Sequence, residues 1–267
     1  MIKQYFIKLH WLLSSQFGID PLCFLRSLRG LHLYFADRRR FKKGYKSRLN
    51  FKPCLHDRYE EAGTTKSEYF WQDLLVARLI FEAKPEKHVD VGSRLDGFVA
   101  HVASFREIEV FDVRPISTAI PGVTFYQADM MSSEAISSLF SVGGYCDSLS
   151  SLHALEHFGL GRYGDPINPQ GYAAGFANMA GLLKPGGVFY LSTPVGKERV
   201  EFNANWVFDP YTILRCAEVN GLVLERLTVF GHDAGLREVN ANPAELSMLA
   251  KQHYQLGLFV LRKLATG

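Results

Sequence analysis

The chain holds only four cysteines (Cys23, Cys54, Cys146 and Cys216), scattered, with no CxxC pair and no zinc-ribbon spacing. That excludes a disulfide framework and predicts reduced thiols in a cytoplasmic protein. No apolar run approaches the roughly 20 residues that a bilayer-spanning helix needs. The Met1–Leu13 stretch is broken by Lys3, Lys8 and His10 and lacks a small-residue cleavage site, which argues against a secretory signal. Internal repeats and low-complexity tracts are also missing, so a solenoid or an array is not expected.

Acidic residues are scarce at one end. Residues 1–52 carry twelve Lys and Arg against only Asp20 and Asp37, and the remainder carries eighteen against twenty-five acids, within a net charge of +3. In the basic stretch Arg26, Arg29, Arg38, Arg39, Lys42 and Lys43 alternate with Phe24, Leu25, Leu28, Leu31 and Phe35. Such a mixture suits a helix packed on the body with solvated cations. It equally suits peripheral contact with an anionic membrane surface, at its inner face, or with phosphates. No specific nucleic-acid binding is expected. A basic helical arm and linker over residues 1–66 is predicted to precede a body over 67–267.

With 47% hydrophobic residues, the body has enough apolar material for an α/β domain of ordinary size. Ser67–Ala83 is an amphipathic helix stopped by Pro85. Strand patterns follow at 89–91, 108–111, 123–127, 145–149 and 188–192. Helical patterns lie between them at 97–104, 132–140 and 170–183. This alternation predicts a mostly parallel sheet with crossover helices. A helix from Asp209-Pro210 to about Asn220 and late strands at 222–230 and 254–261 suit a sheet closed by an antiparallel last strand.

The segment His88-Val-Asp-Val-Gly-Ser-Arg-Leu-Asp-Gly97 runs from an apolar strand into a polar turn, and the next strand ends on Asp112. A glycine at the turn lets backbone approach a nucleotide-type ligand, and an acid at the second strand tip accepts bonds from ribose hydroxyls. Ser93, Arg94, Leu95 and Asp96 separate Gly92 from Gly97, so the tight triple-glycine turn of nicotinamide enzymes is missing.

Asp90-Val-Gly92, Asp112, Gln127-Ala-Asp129-Met130, the stretch from Asp147 to His157, and Leu182-Leu-Lys-Pro-Gly-Gly-Val-Phe-Tyr-Leu191 stand in the order of the motifs of class I S-adenosylmethionine-dependent methyltransferases. From residue 67 onward the chain resembles that superfamily. Ser150–Pro166, Phe70–Ala77 and Asn205–Pro210 narrow the resemblance to a methyltransferase-like family of unassigned activity associated with surface-polysaccharide synthesis. The resemblance implies a Rossmann-like, seven-stranded fold, mostly parallel, with an antiparallel last strand. It implies S-adenosylmethionine as cofactor, held by Asp90, Gly92, Ser93, Asp112, Asp129 and Met130.

Methyl transfer to oxygen needs the acceptor's proton removed, and His157 and His153 are the candidate bases, with Asp165 beside them. His153-Ala-Leu-Glu156-His157 also fits an inverted zinc-protease pattern, but Gly159, Gly161, Gly164 and Pro166 break the helix that pattern needs. No resident metal is expected, although Asp147, Asp165 and His153 are the groups a cation would use. The loop from Ser192 to Trp206 is expected to face the acceptor, with Arg199, Asn203, Asn205 and Trp206 binding a sugar. The leading reading is an O-methyltransferase acting on a sugar of a surface glycan or its precursor. The alternatives are a catalytically inactive interaction module in polysaccharide assembly and an NAD(P)-dependent oxidoreductase.

Overall fold

The computed structural model describes residues 2–63, 65–139, 143–231 and 235–265. Its contacts divide the chain into two units, Met1–Thr64 and Thr65–Gly267.

The first unit contains α1 (Ile2–Trp11) and α2 (Pro21–Gly44). The Asp20 carboxylate accepts from the amides of Leu22 and Cys23 at 2.9 and 3.0 Å, and Pro21 occupies the first helical position, so the start of α2 is well capped. Gly30 is the buried residue of this helix, and a Cβ there would lie 2.0 Å from the carbonyl oxygen of Leu55. The helical arm is broken at 17–20 and ends at Gly44. Lys42 Nζ donates to the carbonyls of Lys46 and Ser47 at 3.1 and 3.0 Å, and these bonds favour an irregular return.

The second unit begins with α3 (Glu68–Ala83), capped by Ser67, whose Oγ accepts from Tyr69 N. Next come β1 (His88–Val91), a helical segment whose first turn is wide (Leu95–Val99) and whose second is α4 (Ala100–Ala103), then β2 (Ile108–Asp112), β3 (Val123–Gln127) and β4 (Cys146–Leu152). The chain continues through α5 (Gly171–Leu182), β5 (Leu183–Val195), a hairpin of β6 (Arg199–Glu201) and β7 (Asn205–Val207), and α6 (Pro210–Val219). It ends with β8 (Leu222–Gly231), β9 (Gly235–Val239), α7 (Pro243–Leu249) and β10 (Gln255–Lys263).

The main sheet has eight strands in the order β3-β2-β1-β4-β5-β10-β8-β9. β1 to β5 pair in parallel, and β10 runs antiparallel between β5 and β8. The antiparallel closing strand is therefore as expected, and β9 adds an eighth strand at the edge. Strand order reverses between β1 and β4, and ligands bind at the carboxyl edge of such a switch point.

One apolar cluster joins α3 and the α4 segment to one sheet face through Val76, Ile80, Phe98 and Val110. Another joins α5 and α6 to the other face through Phe176, Met179, Ile213 and Phe189. No α-helix forms at 132–139. Ser132 Oγ accepts from Ala135 N and Ser137 Oγ donates to Glu134 O, so local side-chain bonds replace the helical ladder and leave turns and a short 3₁₀ segment at Ser137–Leu139. Phe140 lies outside the described residues.

Candidate active site

At the switch point a cavity of about 470 Å³ opens over the carboxyl ends of β1, β2 and β4. That is an ordinary size for a small-molecule or cofactor site. Gly92 forms its floor with φ +73°, and a Cβ there would meet Ala154 Cβ at 2.8 Å. Only glycine suits this turn, because it has no Cβ to clash and tolerates the left-handed backbone.

Asp90 lies behind the turn. Its carboxylate accepts from Ser93 N at 3.0 Å, Ser93 Oγ at 2.6 Å and Ser150 Oγ at 2.5 Å, and its side chain is fully buried. Strand pairing opposes Asp90 to Ser150 and His88 to Ser148, which lines up this polar network. Burial pushes the Asp90 pKa up to about 7 against the pull of its hydroxyl partners. Asp90 does not line the cavity. Direct contact with a ligand, open in the sequence, is thus replaced by a bracing role: the side chain fixes Gly92 and Ser93.

Asp112 ends β2 at the cavity wall. Arg114 Nε and Nη2 donate to its two oxygens at 2.9 and 2.6 Å, and the Arg114 guanidinium also stacks 4.3 Å from the Tyr163 ring centroid. Asp129 and Met130 line the same cavity: Asp129 accepts from Met131 N at 2.8 Å, and Met130 is buried beside it. Arg94 is turned onto Asp96 with bonds of 3.1 and 2.8 Å, so within this structure it pairs with its neighbour. Gly92, Ser93, Asp112, Asp129 and Met130 converge as expected, and they suit a nucleoside-type group: a close backbone approach, a strand-tip acid and an apolar shelf.

After β4 the chain turns sharply at His153, which has φ +53°. Its ring is held between two acids, with Nδ1 2.7 Å from Glu156 Oε1 and Nε2 3.4 Å from Glu68 Oε1. Tyr69 stacks on the ring at 4.5 Å, and Tyr254 donates to Glu68 at 2.5 Å. Burial disfavours the charged imidazole, but Glu156 and Glu68 together outweigh it and raise the His153 pKa to about 9. Burial likewise opposes the Glu156 carboxylate, and the His153 charge overrides it and lowers its pKa. His153 is therefore a protonated ion-pair partner at neutral pH and is unsuited to the base role considered for it.

His157 is different. Its Nδ1 and Arg162 Nη1 both point at the carbonyl oxygen of Ala204, at 2.7 and 2.8 Å. An unprotonated Nδ1 would face that oxygen lone pair to lone pair, so Nδ1 carries the hydrogen and Nε2 is left as the acceptor. Nε2 has only a 3.5 Å approach from Arg162 and a 4.0 Å approach from Glu156. Burial first, then the Arg162 charge, lowers the His157 pKa, although Glu156 opposes them. The ring is neutral at pH 7, lines the cavity and has a free lone pair. Asp165 also lines the cavity, and its oxygens accept from Gly161 N and Tyr163 N, so it shapes the loop that presents Arg162 and Tyr163.

The acceptor loop differs from expectation. Arg199, Asn203, Asn205 and Trp206 do not line the cavity. Arg199 bonds Glu201 and the His253 carbonyl, both at 2.7 Å; Asn203 is exposed at the hairpin tip; Asn205 bonds the Trp206 carbonyl; and Trp206 stacks with Phe208 at 5.8 Å. The loop pairs as the β6–β7 hairpin and reaches the site through the Ala204 carbonyl. Asp147, Asp165 and His153 are also apart. Asp147 caps the amides of Glu86 and Lys87 at the opposite end of β4, and among the described residues these three form no group suited to a metal ion.

Sequence reasoning missed Arg114, Glu68, Tyr69 and Tyr254. Arg114, two residues past the strand-tip acid, carried a readable local signal, whereas Glu68 and Tyr254 are brought to His153 only by tertiary folding.

Strand order and the switch-point cavity define the Rossmann-like fold of class I methyltransferases. By its sequence over residues 127–264, the chain belongs to the family described as "Caenorhabditis protein of unknown function, DUF268". No curated protein matches it. Among solved structures, it is similar to a 1,6-didemethyltoxoflavin-N1-methyltransferase from Burkholderia thailandensis, at 13% identity and a TM-score of 0.49 over 87% of this chain and 90% of that one. The amino pentose methyltransferase CalS10 from Micromonospora echinaspora is 15% identical with a TM-score of 0.45 over 81% of this chain and all of its own. The N-methyltransferase NodS from Bradyrhizobium japonicum WM9 is 15% identical with a TM-score of 0.44 over 72% and 85% of the two chains.

Proposed function

We propose that this protein is an S-adenosylmethionine-dependent O-methyltransferase whose acceptor is a sugar hydroxyl of a surface glycan or its activated precursor. The observation that carries the reading is the placement of a neutral His157, its Nε2 lone pair open, in the same cavity as the Gly92 turn and Asp112.

When bound, the cofactor supplies a methyl group on a sulfonium. The protein does the rest. Asp112 would accept from the ribose hydroxyls in place of Arg114, Asp129 and Met130 would hold the adenine, and the Gly92 turn would take the amino-acid end. His157 Nε2 takes the proton of the acceptor hydroxyl as its oxygen forms a bond to the methyl carbon. Proton uptake would leave His157 as an imidazolium. Glu156, 4.0 Å away, steadies that charge. Transfer is an in-line displacement, so positioning supplies much of the rate.

Arg162 has no carboxylate partner among the described residues, and Arg114 lies against the same Tyr163 ring. This pair favours an acceptor bearing phosphate or carboxylate, as activated sugars do. The test is methyl transfer from labelled cofactor to a panel of nucleotide sugars and anionic glycans, with phenols and protein as controls. Labelled sugar product is expected. Transfer to phenols or protein but never to sugars would overturn the acceptor class, and tight cofactor binding without any transfer would favour a non-catalytic module.

A further inference from the structure

We infer that the first unit docks on an anionic lipid bilayer, with the exposed face of α2 lying in the headgroup region. The argument is independent of the reaction proposed for the second unit.

The buried side of α2 is already used. Gly30 meets the Leu55 carbonyl, and Cys23, Leu33, Tyr34 and Asp37 are partly covered around it. Phe24, Leu28, Leu31 and Phe35 recur at intervals of four, three and four residues, so they form one stripe on the other side. They are 64%, 52%, 37% and 48% exposed. A soluble helix places such a stripe against a core. Here it faces outward, and at 1.5 Å per residue it extends about 16 Å along the helix.

Arg39 follows one step on along this stripe, and Lys43 lies at its edge. Among the described residues, Arg39 and Lys43 have no carboxylate partner; Asp37 is taken by Arg58 and Arg40. No described helix is long and apolar enough to cross a membrane, so the geometry is that of a helix lying on the surface rather than spanning it. Charge selects the occupant. A second copy of this face would bring unpaired cations against cations. A nucleic acid would satisfy the cations but leave two phenylalanines and two leucines in water. Anionic headgroups over acyl chains satisfy both.

The test is co-sedimentation of the full chain with vesicles of phosphatidylglycerol and phosphatidylcholine, compared with pure phosphatidylcholine, at low and high salt. Two double variants are measured beside it, Leu28→Asp with Leu31→Asp, and Arg39→Glu with Lys43→Glu. The protein is expected to pellet with the anionic vesicles, less at high salt, and each variant is expected to lose roughly tenfold or more in partitioning at unchanged melting temperature. Equal pelleting by wild type and both variants, or none by wild type, would overturn the inference. So would a dimer that the leucine variant dissolves, or a melting temperature that falls in both variants, since either would mean that protein covers this face.

Discussion

Arg114 covers Asp112, with its guanidinium bonded to both carboxylate oxygens and the side chain of Asp112 only 10% exposed beneath it. The two donors stand where the hydroxyls of a ribose would have to donate. If Asp112 holds the ribose as proposed, cofactor binding displaces Arg114, and the energy of this ion pair is subtracted from cofactor affinity. Partly exposed pairs of this kind contribute about 1 kcal/mol, so Arg114→Ala is expected to tighten S-adenosylhomocysteine binding by roughly fivefold. Isothermal calorimetry on the two proteins checks this; weaker binding in the variant would mean that Arg114 contacts the cofactor instead of competing with it.

Asp90 and Asp112 stand on neighbouring strands but act on different quantities. On the proposed reading Asp112→Ala removes the ribose acceptor, so cofactor affinity falls, while stability loses only the pair with Arg114, about 1 kcal/mol. Asp90→Ala strands the buried Ser93 N, and leaving such a group unpaired costs about 1–3 kcal/mol. A lowered denaturation midpoint is expected for Asp90→Ala, with affinity loss following from a loosened Gly92 turn. Denaturant melts and calorimetry on both variants separate the two; an Asp90 variant of native stability would contradict the bracing role.

Much of this site was legible because its grammar is local. Asp90, Gly92 and Asp112 sit at the ends of strands that the sequence marks by apolar runs, and the antiparallel closure followed from the late strands. The acceptor side was not legible. Arg199 and Asn205 have the chemistry of sugar ligands, but hairpin pairing spends it on Glu201, His253 and the Trp206 carbonyl. The charge state of His153 depends on Glu68, 85 positions earlier in the chain, held by Tyr254. The failed helix at 132–139 is a case where the local bonds of Ser132 and Ser137 outweighed a correct apolar anchor, since Ile136 is fully buried all the same.

His153 makes stability depend on pH in a defined direction. Its folded pKa, about 9, lies above its ordinary 6.5, so its contribution is fully present below 6.5 and is lost as pH rises through 9. His153→Gln leaves Glu156 and Glu68 facing each other without a cation, and removing one partner of a buried pair costs about 3–5 kcal/mol. The variant is expected to melt well below wild type at neutral pH, and the gap is expected to narrow above pH 9, where wild type has itself lost the charge. Thermal melts across that range decide it, and a gap that is constant with pH would show that the ring acts through packing against Tyr69 alone.

His157 makes activity depend on pH in the opposite sense. Burial and Arg162 hold its pKa below 6.5, so the ring stays a competent acceptor into mildly acidic solution. The acid limb of kcat/KM is expected below that value. Arg162→Ala removes one of the lowering influences and is expected to move the limb upward. His157→Gln leaves the pocket filled but cannot take a proton, and loss of a general base lowers kcat by about 10²–10⁴-fold. If His157 acts as the proposed base, S-adenosylhomocysteine affinity is expected to be unchanged in this variant, which separates a base from a scaffold residue. An acid limb at or above 6.5, or a drop in cofactor affinity equal to the drop in rate, would move the base role to another group.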